Sequence, residues 1–81
     1  NYPLALEMYK KAVKINPQLS EGYMQIGVTY YVMNDYKQAI EFYEQALKVD
    51  SRWENELFLR LAEAYRKIGN NEKAEFYYQQ K

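Results

Sequence analysis

Two glutamates, Glu56 and Glu63, come nearest to catalytic chemistry in this sequence. They are seven residues apart, so in a helix they would share a face. Paired carboxylates can act as general acid and general base, as in glycoside hydrolysis. However, the sequence has no histidine and no cysteine, which removes the commonest general base and the thiol nucleophile. Ser20 and Ser51 are placed to cap helices rather than to attack a substrate. We therefore predict that the protein is not an enzyme, with no catalytic or metal-binding residue and no cofactor.

The composition indicates one small domain with balanced charge. The 81 residues suffice for a single domain at most. Lysine plus arginine and aspartate plus glutamate number 11 each, whereas nucleic-acid-binding proteins usually carry a basic surplus. No apolar run approaches the roughly 20 residues that a membrane helix needs. We therefore expect a soluble, cytoplasmic protein that binds no nucleic acid and does not insert into a membrane.

Apolar residues recur at steps of three and four along the chain, which predicts five helices. With their caps, these helices cover residues of about 2–15, 20–33, 35–49, 51–69 and 70–81. The predicted N-caps are Ser20, Asp35, Ser51 and Asn70, and the predicted C-caps are Asn34 and Gly69. Because the connections are only a few residues long, neighbouring helices must run antiparallel.

Alanine and tyrosine form a ladder that repeats along the chain. Ala39, Tyr43 and Ala46 recur 34 residues earlier as Ala5, Tyr9 and Ala12, and 35 residues later as Ala74 and Tyr78. The helix before the central ladder carries Tyr23, Ile26, Gly27 and Tyr30. This pattern resembles the tetratricopeptide repeat (TPR), in which an aromatic residue, Leu-Gly and Tyr in one helix precede Ala, an aromatic residue and Ala in the next. The resemblance implies an all-α fold, in which about five helices form antiparallel hairpins stacked as a right-handed solenoid.

The same resemblance describes residues 1–81 as one domain. Residues 1–17 correspond to the second helix of a truncated repeat, residues 20–51 to a full repeat, and residues 54–81 to a near-complete repeat that lacks its end. We therefore expect the chain to be part of a larger protein. In the full repeat, Gly27 is expected to let the paired helix approach closely.

The resemblance also implies a ligand site, because in this family the first helix of each hairpin lines the concave face. The implied groove residues are Glu21, Met24, Gln25, Val28, Tyr31, Val32, Glu56, Leu59, Arg60, Glu63, Arg66 and Lys67. The part from the first hairpin is mostly apolar and the part from the second is mostly charged. We expect a protein–protein interaction scaffold that binds an extended or helical peptide by an apolar anchor and charged contacts. The alternative is a plain scaffold face whose charged residues are solvated.

Self-association is a further prediction for the two ends of the array. A solenoid normally needs a polar cap at each end. The residues expected to be uncovered are Leu6, Tyr9 and Val13 in the first helix, and Phe76 and Tyr77 in the last. These uncovered residues predict a homo-oligomer that forms through the uncapped ends of the array. RNA binding is the remaining alternative, because related helical hairpins of 35 residues read RNA bases, but the zero net charge argues against it.

Overall fold

The chain folds into five helices arranged as successive antiparallel hairpins. A computed structural model describes residues 2–80, with the side chain of Ser51 left out. The helices are α1 (Tyr2–Ile15), α2 (Ser20–Val32), α3 (Tyr36–Val49), α4 (Glu54–Lys67) and α5 (Asn71–Tyr78), and a 3-10 turn (Ser51–Trp53) precedes α4. Each helix packs mainly on its neighbours in the sequence. The all-α prediction is confirmed, since residues 2–80 contain these helices and no strand.

The ends of the helices follow the predicted capping chemistry at four positions. Asn34 and Gly69 adopt left-handed backbone conformations, with φ of 68° and 83°, which end α2 and α4 and allow the chain to reverse. The Asp35 side chain accepts a hydrogen bond from the backbone N–H three residues on, at 3.4 Å. The Asn70 side chain accepts the equivalent bond at 3.1 Å. These carboxylate and amide oxygens satisfy N–H groups that have no partner within their own helices.

Ser20 does not cap α2, contrary to the prediction. It is the first residue of the helix and is buried, while Leu19 stands at the N-cap position without a side-chain cap bond. The Ser20 hydroxyl instead donates to the carbonyl oxygen of Ala46 at 2.9 Å. A buried hydroxyl group is costly without a hydrogen-bond partner, and here the acceptor is a backbone carbonyl of α3. Ser20 therefore joins the two helices of a hairpin.

The second predicted serine cap, Ser51, has a side chain outside the described part of the structure. Its backbone opens the 3-10 turn, and α4 begins three residues later, at Glu54. Trp53 occupies the N-cap position of α4 and makes no side-chain cap bond. The start of α4 therefore lies later than the sequence predicted.

The helices enclose two apolar clusters that share half-buried tyrosines. The main cluster contains Met24, Ala39, Ile40, Tyr43, Ala46, Leu57, Leu61, Ala64, Tyr65 and Ala74. The second cluster contains Leu6, Val13 and Ile26. Tyr23 and Tyr30 pack against both clusters, so one continuous layer of apolar side chains runs from α1 to α5.

Gly27 lies at the closest approach of α2 and α3. A Cβ atom on Gly27 would lie 2.6 Å from the Cδ1 and Cε1 atoms of Tyr43 and 3.1 Å from the carbonyl oxygen of Ala39. Carbon atoms at van der Waals contact are about 3.5–4.0 Å apart. The absent side chain is therefore what allows the Tyr43 ring to fill the space between the helices.

Candidate functional site

The first candidate surface lies where α2 and α4 face each other. We call it the α2–α4 face and define it by Val28, Tyr31 and Val32 on α2 and by Glu63 and Arg66 on α4. The charges of Glu63 and Arg66 act on the Tyr31 hydroxyl group, so both side chains lie within electrostatic range of it. Val32 is exposed, while Val28 and Tyr31 are half-buried.

Tyr31 is the central aromatic residue of the α2–α4 face. Its ring meets the Tyr36 ring edge-on, with centroids 5.1 Å apart and an interplanar angle of 70°. Burial, and next the negative charge of Glu63, raise the pKa of Tyr31 above its ordinary value. The hydroxyl is therefore neutral at physiological pH and can donate a hydrogen bond beside an apolar ring.

Arg60 has its charge largely satisfied within α4. Its Nε and Nη2 atoms donate to Oε2 of Glu56 at 3.1 and 3.0 Å. The guanidinium group also lies beside the Tyr43 hydroxyl group, where its charge partly offsets the effect of burial, which raises the pKa of Tyr43 to about 12. Arg60 is therefore less available to a ligand than Arg66 and Lys67, which are exposed at the end of α4.

The carboxylates do not assemble a metal site in the part of the chain that the structure describes. Within residues 2–80, no three acidic side chains lie close enough together to hold a metal ion. Glu56, one member of the pair considered for acid–base chemistry, is engaged by Arg60 at 3.0 Å.

Met24 was expected to line the groove, and the structure corrects this. It is 3% exposed and belongs to the main cluster, together with Leu57 and Leu61 of α4. A ligand on the surface cannot reach it. The residue 35 positions later is Leu59, which is 50% exposed and lines a cleft between α4 and α5. The helical spacing in the sequence predicts that Met24 and Leu59 each lie on the first helix of a hairpin. It does not show which of the two side chains is covered by another helix.

The remaining predicted groove residues are accessible to different degrees. Glu21 is exposed, and Gln25, Glu56 and Glu63 are half-buried. Their role in binding stays a prediction.

The prediction that Leu6 and Val13 are uncovered is wrong. Both are buried against Ile26 of α2, and Tyr9 is half-buried beside them. The residues are seven apart in α1, and this stripe is the one that α2 covers. Met8 and Ile15 lie on other faces of α1 and are exposed, with Ile15 85% exposed.

At the other end of the chain, Phe76 is exposed, as expected. Tyr77 is half-buried, with its ring stacked on the Tyr65 ring at 5.8 Å and an interplanar angle of 8°. Tyr65 in turn donates to the Glu44 carboxylate at 2.9 Å. Tyr77 is therefore fixed by contacts within the chain and serves as the wall of a cleft.

That cleft is a second candidate surface, which we call the terminal cleft. It encloses about 580 Å³ between α4 and α5. Its lining residues are Asn55, Phe58, Leu59, Tyr77, Tyr78 and Gln80. This cleft was not predicted as a unit, although the 35-residue period relates Leu59 and Tyr78 to Met24 and Tyr43, two buried residues of the preceding repeat.

Comparison with known proteins identifies the repeat. Two tetratricopeptide repeat models match residues 20–52 and 56–80. A Drosophila melanogaster protein, BBSome complex member BBS4 homolog, is 33% identical over 63 residues, which make up 78% of this chain and 13% of that protein.

Solved structures share the fold. Two crystal structures of MamA match 96% of this chain with TM-scores of 0.90 and 0.91, at 22% identity. The match covers 42% and 45% of those chains. The chain thus spans less than half the length of the relatives described here.

Within residues 2–80, no helix has the length and apolar character needed to span a bilayer.

Proposed function

Because this chain belongs to the tetratricopeptide repeat family, we propose that its α2–α4 face binds a protein or peptide segment as part of a larger scaffold. Repeats of this family mediate protein–protein interaction. The proposal assigns no catalytic step to the chain. It places the contact on the face that combines Tyr31 with the exposed cations of α4.

The observation that carries the proposal is the position of Tyr31 between apolar and charged neighbours. Val28 and Val32 stand three residues before and one residue after Tyr31 in α2, and Arg66 is an exposed cation of α4 whose charge acts on the Tyr31 hydroxyl group. Aromatic and arginine side chains that are close together are typical of residues that contribute strongly to binding. The ligand we propose has an apolar side chain for the valines and an acidic side chain within reach of Arg66 and Lys67.

A charge-reversal experiment tests this proposal. Peptides that bind the wild-type chain are selected from a displayed library, and their affinities are measured by fluorescence anisotropy. Arg66→Glu should weaken binding of an acidic peptide by about tenfold or more, since one favourable ion pair becomes a repulsion worth about 1.4 kcal/mol or more.

Arg52→Glu is the matched control, because Arg52 is an exposed arginine on the 3-10 turn, where it pairs with Asp50 at 3.6 Å. That variant should bind within about twofold of wild type, because a surface ion pair contributes little. Equal losses of peptide affinity in both variants, or no loss of affinity in Arg66→Glu, would contradict the proposal.

Self-association is the second candidate, and the exposed apolar side chains favour it. Met8 and Ile15 project from α1, and Phe76 projects from α5. Lys11 and Lys14 are also exposed on α1, and α5 carries Glu72 and Glu75, which gives the two ends opposite charge. Sedimentation velocity should reveal dimers that Ile15→Ser weakens. A monomer across the whole concentration series would eliminate this candidate.

A further inference from the structure

Two repeat-related tyrosines make side-chain hydrogen bonds of opposite polarity. The Lys10 ammonium group donates to the Tyr30 hydroxyl oxygen at 3.0 Å. One repeat later, the Tyr65 hydroxyl group donates to the Glu44 carboxylate at 2.9 Å. Lys10 and Glu44 stand 34 positions apart, and Tyr30 and Tyr65 stand 35 positions apart. The repeat thus places a cation beside the first tyrosine and an anion beside the second.

Each of these tyrosines is held in place by a second aromatic ring. The Tyr30 ring stacks on the Phe42 ring, with centroids 5.7 Å apart and an interplanar angle of 19°. The Tyr65 ring stacks on the Tyr77 ring at 5.8 Å. Both hydroxyl groups therefore have defined positions. We call Lys10, Tyr30 and Phe42 the first junction, and Glu44, Tyr65 and Tyr77 the second junction.

Both junctions remain accessible inside a stack of repeats. Glu44 lies on α3, which packs on both α2 and α4, and yet Glu44 is only half-buried. Its counterpart Lys10 would therefore keep its access to solvent with a further helix packed on α1. Tyr30 and Phe42 are likewise half-buried although α4 follows them in the stack, which indicates the same for the second junction.

The first junction has donors to spare. Because the Tyr30 oxygen accepts from Lys10, the hydroxyl proton must point away from the ammonium group. The ammonium group has two further N–H bonds, and within residues 2–80 it forms no ion pair. A carboxylate suits this arrangement, because it can accept charge-assisted hydrogen bonds from the ammonium group and the hydroxyl group together.

The second junction offers acceptors instead. Glu44 receives the Tyr65 proton on one carboxylate oxygen, and within residues 2–80 no cation pairs with it. The Lys73 ammonium group lies over the Tyr65 ring, 5.6 Å from the ring centroid, rather than on the carboxylate. A carboxylate has lone pairs for several donors, so this junction suits an ammonium or guanidinium group.

We propose that the two junctions together bind an extended segment of a partner protein that carries one acidic and one basic side chain. The acidic side chain binds at the first junction and the basic side chain at the second. None of the residues of the junctions belongs to the α2–α4 face, so this surface is separate from the one proposed above.

The distance between the junctions sets the spacing of the two charges in the partner. Packed helices lie about 8–10 Å apart, so equivalent groups of neighbouring repeats are on the order of 10 Å apart. A polyproline II segment has three residues per turn and rises about 3.1 Å per residue, so side chains i and i+3 point the same way about 9 Å apart. The partner segment accordingly carries its acid and its base three positions apart.

The probes are three blocked tetrapeptides, each with two central prolines that favour the polyproline II conformation. The mixed peptide carries glutamate and lysine at its ends, and the like-charged peptides carry two glutamates or two lysines. Titration into isotope-labelled protein, followed by backbone amide chemical shifts, measures weak binding and locates it. The wild-type chain should bind the mixed peptide at least about threefold more tightly than either like-charged peptide, since each surface ion pair contributes modestly. The perturbed amides should surround Lys10 and Glu44.

Reversing one charge of the protein should change which peptide binds best. Lys10→Glu places carboxylates at both junctions, so this variant should prefer the two-lysine peptide. Glu44→Lys should prefer the two-glutamate peptide for the corresponding reason. Lys11→Glu is the matched control, because Lys11 is also exposed on α1 but points about 100° away from Lys10 around the helix. This control should keep the preference for the mixed peptide.

These preferences distinguish a binding site from contacts that only hold the repeats together, because a purely structural contact would not select among peptides. The proposal is overturned if the mixed peptide gives no saturable shifts at tens of millimolar concentration, or if Lys10→Glu keeps the wild-type preference. Equal effects of Lys10→Glu and Lys11→Glu would also contradict it, since they would reflect net charge. Shifts that surround Tyr31 and Arg66 instead would exclude the junctions as the site and leave the α2–α4 proposal intact.

Discussion

Replacing Gly27 by alanine tests the packing on which the repeat depends. The added Cβ atom would lie 2.6 Å from two atoms of the Tyr43 ring and 3.1 Å from the backbone oxygen of Ala39. Tyr43 is 1% exposed, so its ring has no open space into which it can move. The Ala39 oxygen belongs to the backbone of α3, which can yield only if the helix itself shifts.

Two effects of opposite sign determine the magnitude. Alanine is a better helix former than glycine by about 0.8–1.0 kcal/mol, which favours the variant. Overpacking a well-filled core costs about 1–3 kcal/mol, and the contacts with a buried ring and a backbone atom place Gly27→Ala toward the upper end. We therefore expect the free energy of unfolding to fall by about 1–2 kcal/mol.

Gly22→Ala is the matched control, in the same helix. Its added Cβ atom would also meet an atom at 2.6 Å, but that atom is the Cγ1 methyl of Val13 on the terminal helix α1. A side chain on α1 can adjust more easily than a ring between two central helices. The gain in helix propensity should then nearly offset the strain, and we expect a net change within about 0.5 kcal/mol.

Urea denaturation followed by far-ultraviolet circular dichroism measures both changes, provided that the m-value stays constant. If Gly27→Ala is as stable as wild type, the close approach at Gly27 does not limit the packing of α2 on α3. If Gly22→Ala loses as much free energy of unfolding as Gly27→Ala, the type of group that the added Cβ atom meets does not determine the loss of stability. Either result would refute the reasoning.

Two further predictions concern Ser20 and Tyr43. Ser20→Ala should lose about 0.5–1.5 kcal/mol of stability, and Ser20→Asp should lose more in urea denaturation, because a carboxylate would be buried against the Ala46 carbonyl. A capping role would instead make Ser20→Asp harmless. Burial raises the pKa of Tyr43 to about 12, and unfolded tyrosine ionises near pH 10. The stability due to Tyr43 is therefore fully present below pH 10 and falls by up to about 1.4 kcal/mol per pH unit toward pH 12. Tyr43→Phe should reduce this fall in urea midpoints measured across that range, and an unchanged pH profile would contradict the assignment.

The repeat and its turns could be predicted from the sequence because they depend on local residue types. Asn34 and Gly69 suit left-handed backbone, and Asp35 and Asn70 carry side chains that cap a helix. Each of these features is decided within a few residues. The structure agrees with all four.

The misassigned residues depend instead on which neighbour covers a helix. Serine is a residue type that often caps helices, but the Ser20 hydroxyl donates a hydrogen bond to the carbonyl oxygen of Ala46 on α3, 26 residues away. Met24 and Leu59 are both apolar at equivalent positions, yet Met24 is buried in the main cluster with residues of α4, whereas Leu59, on α4 itself, is exposed. Leu6 and Val13 lie on the α1 stripe that α2 covers. Periodicity shows that a helix has an apolar side, and only the tertiary arrangement shows how many of its sides are buried.

Helix α4 brings these points together, because it contributes to two surfaces. Leu57 and Leu61 lie in the main cluster. Leu59, Glu63 and Arg66 recur at steps of four and three residues and therefore share a second face of the helix. Leu59 is 50% exposed, and the charges of Glu63 and Arg66 act on the Tyr31 hydroxyl group. A substitution of Leu59 or Arg66 can therefore leave the packed stripe of Leu57 and Leu61 intact, because the exposed residues lie on the other side of the helix.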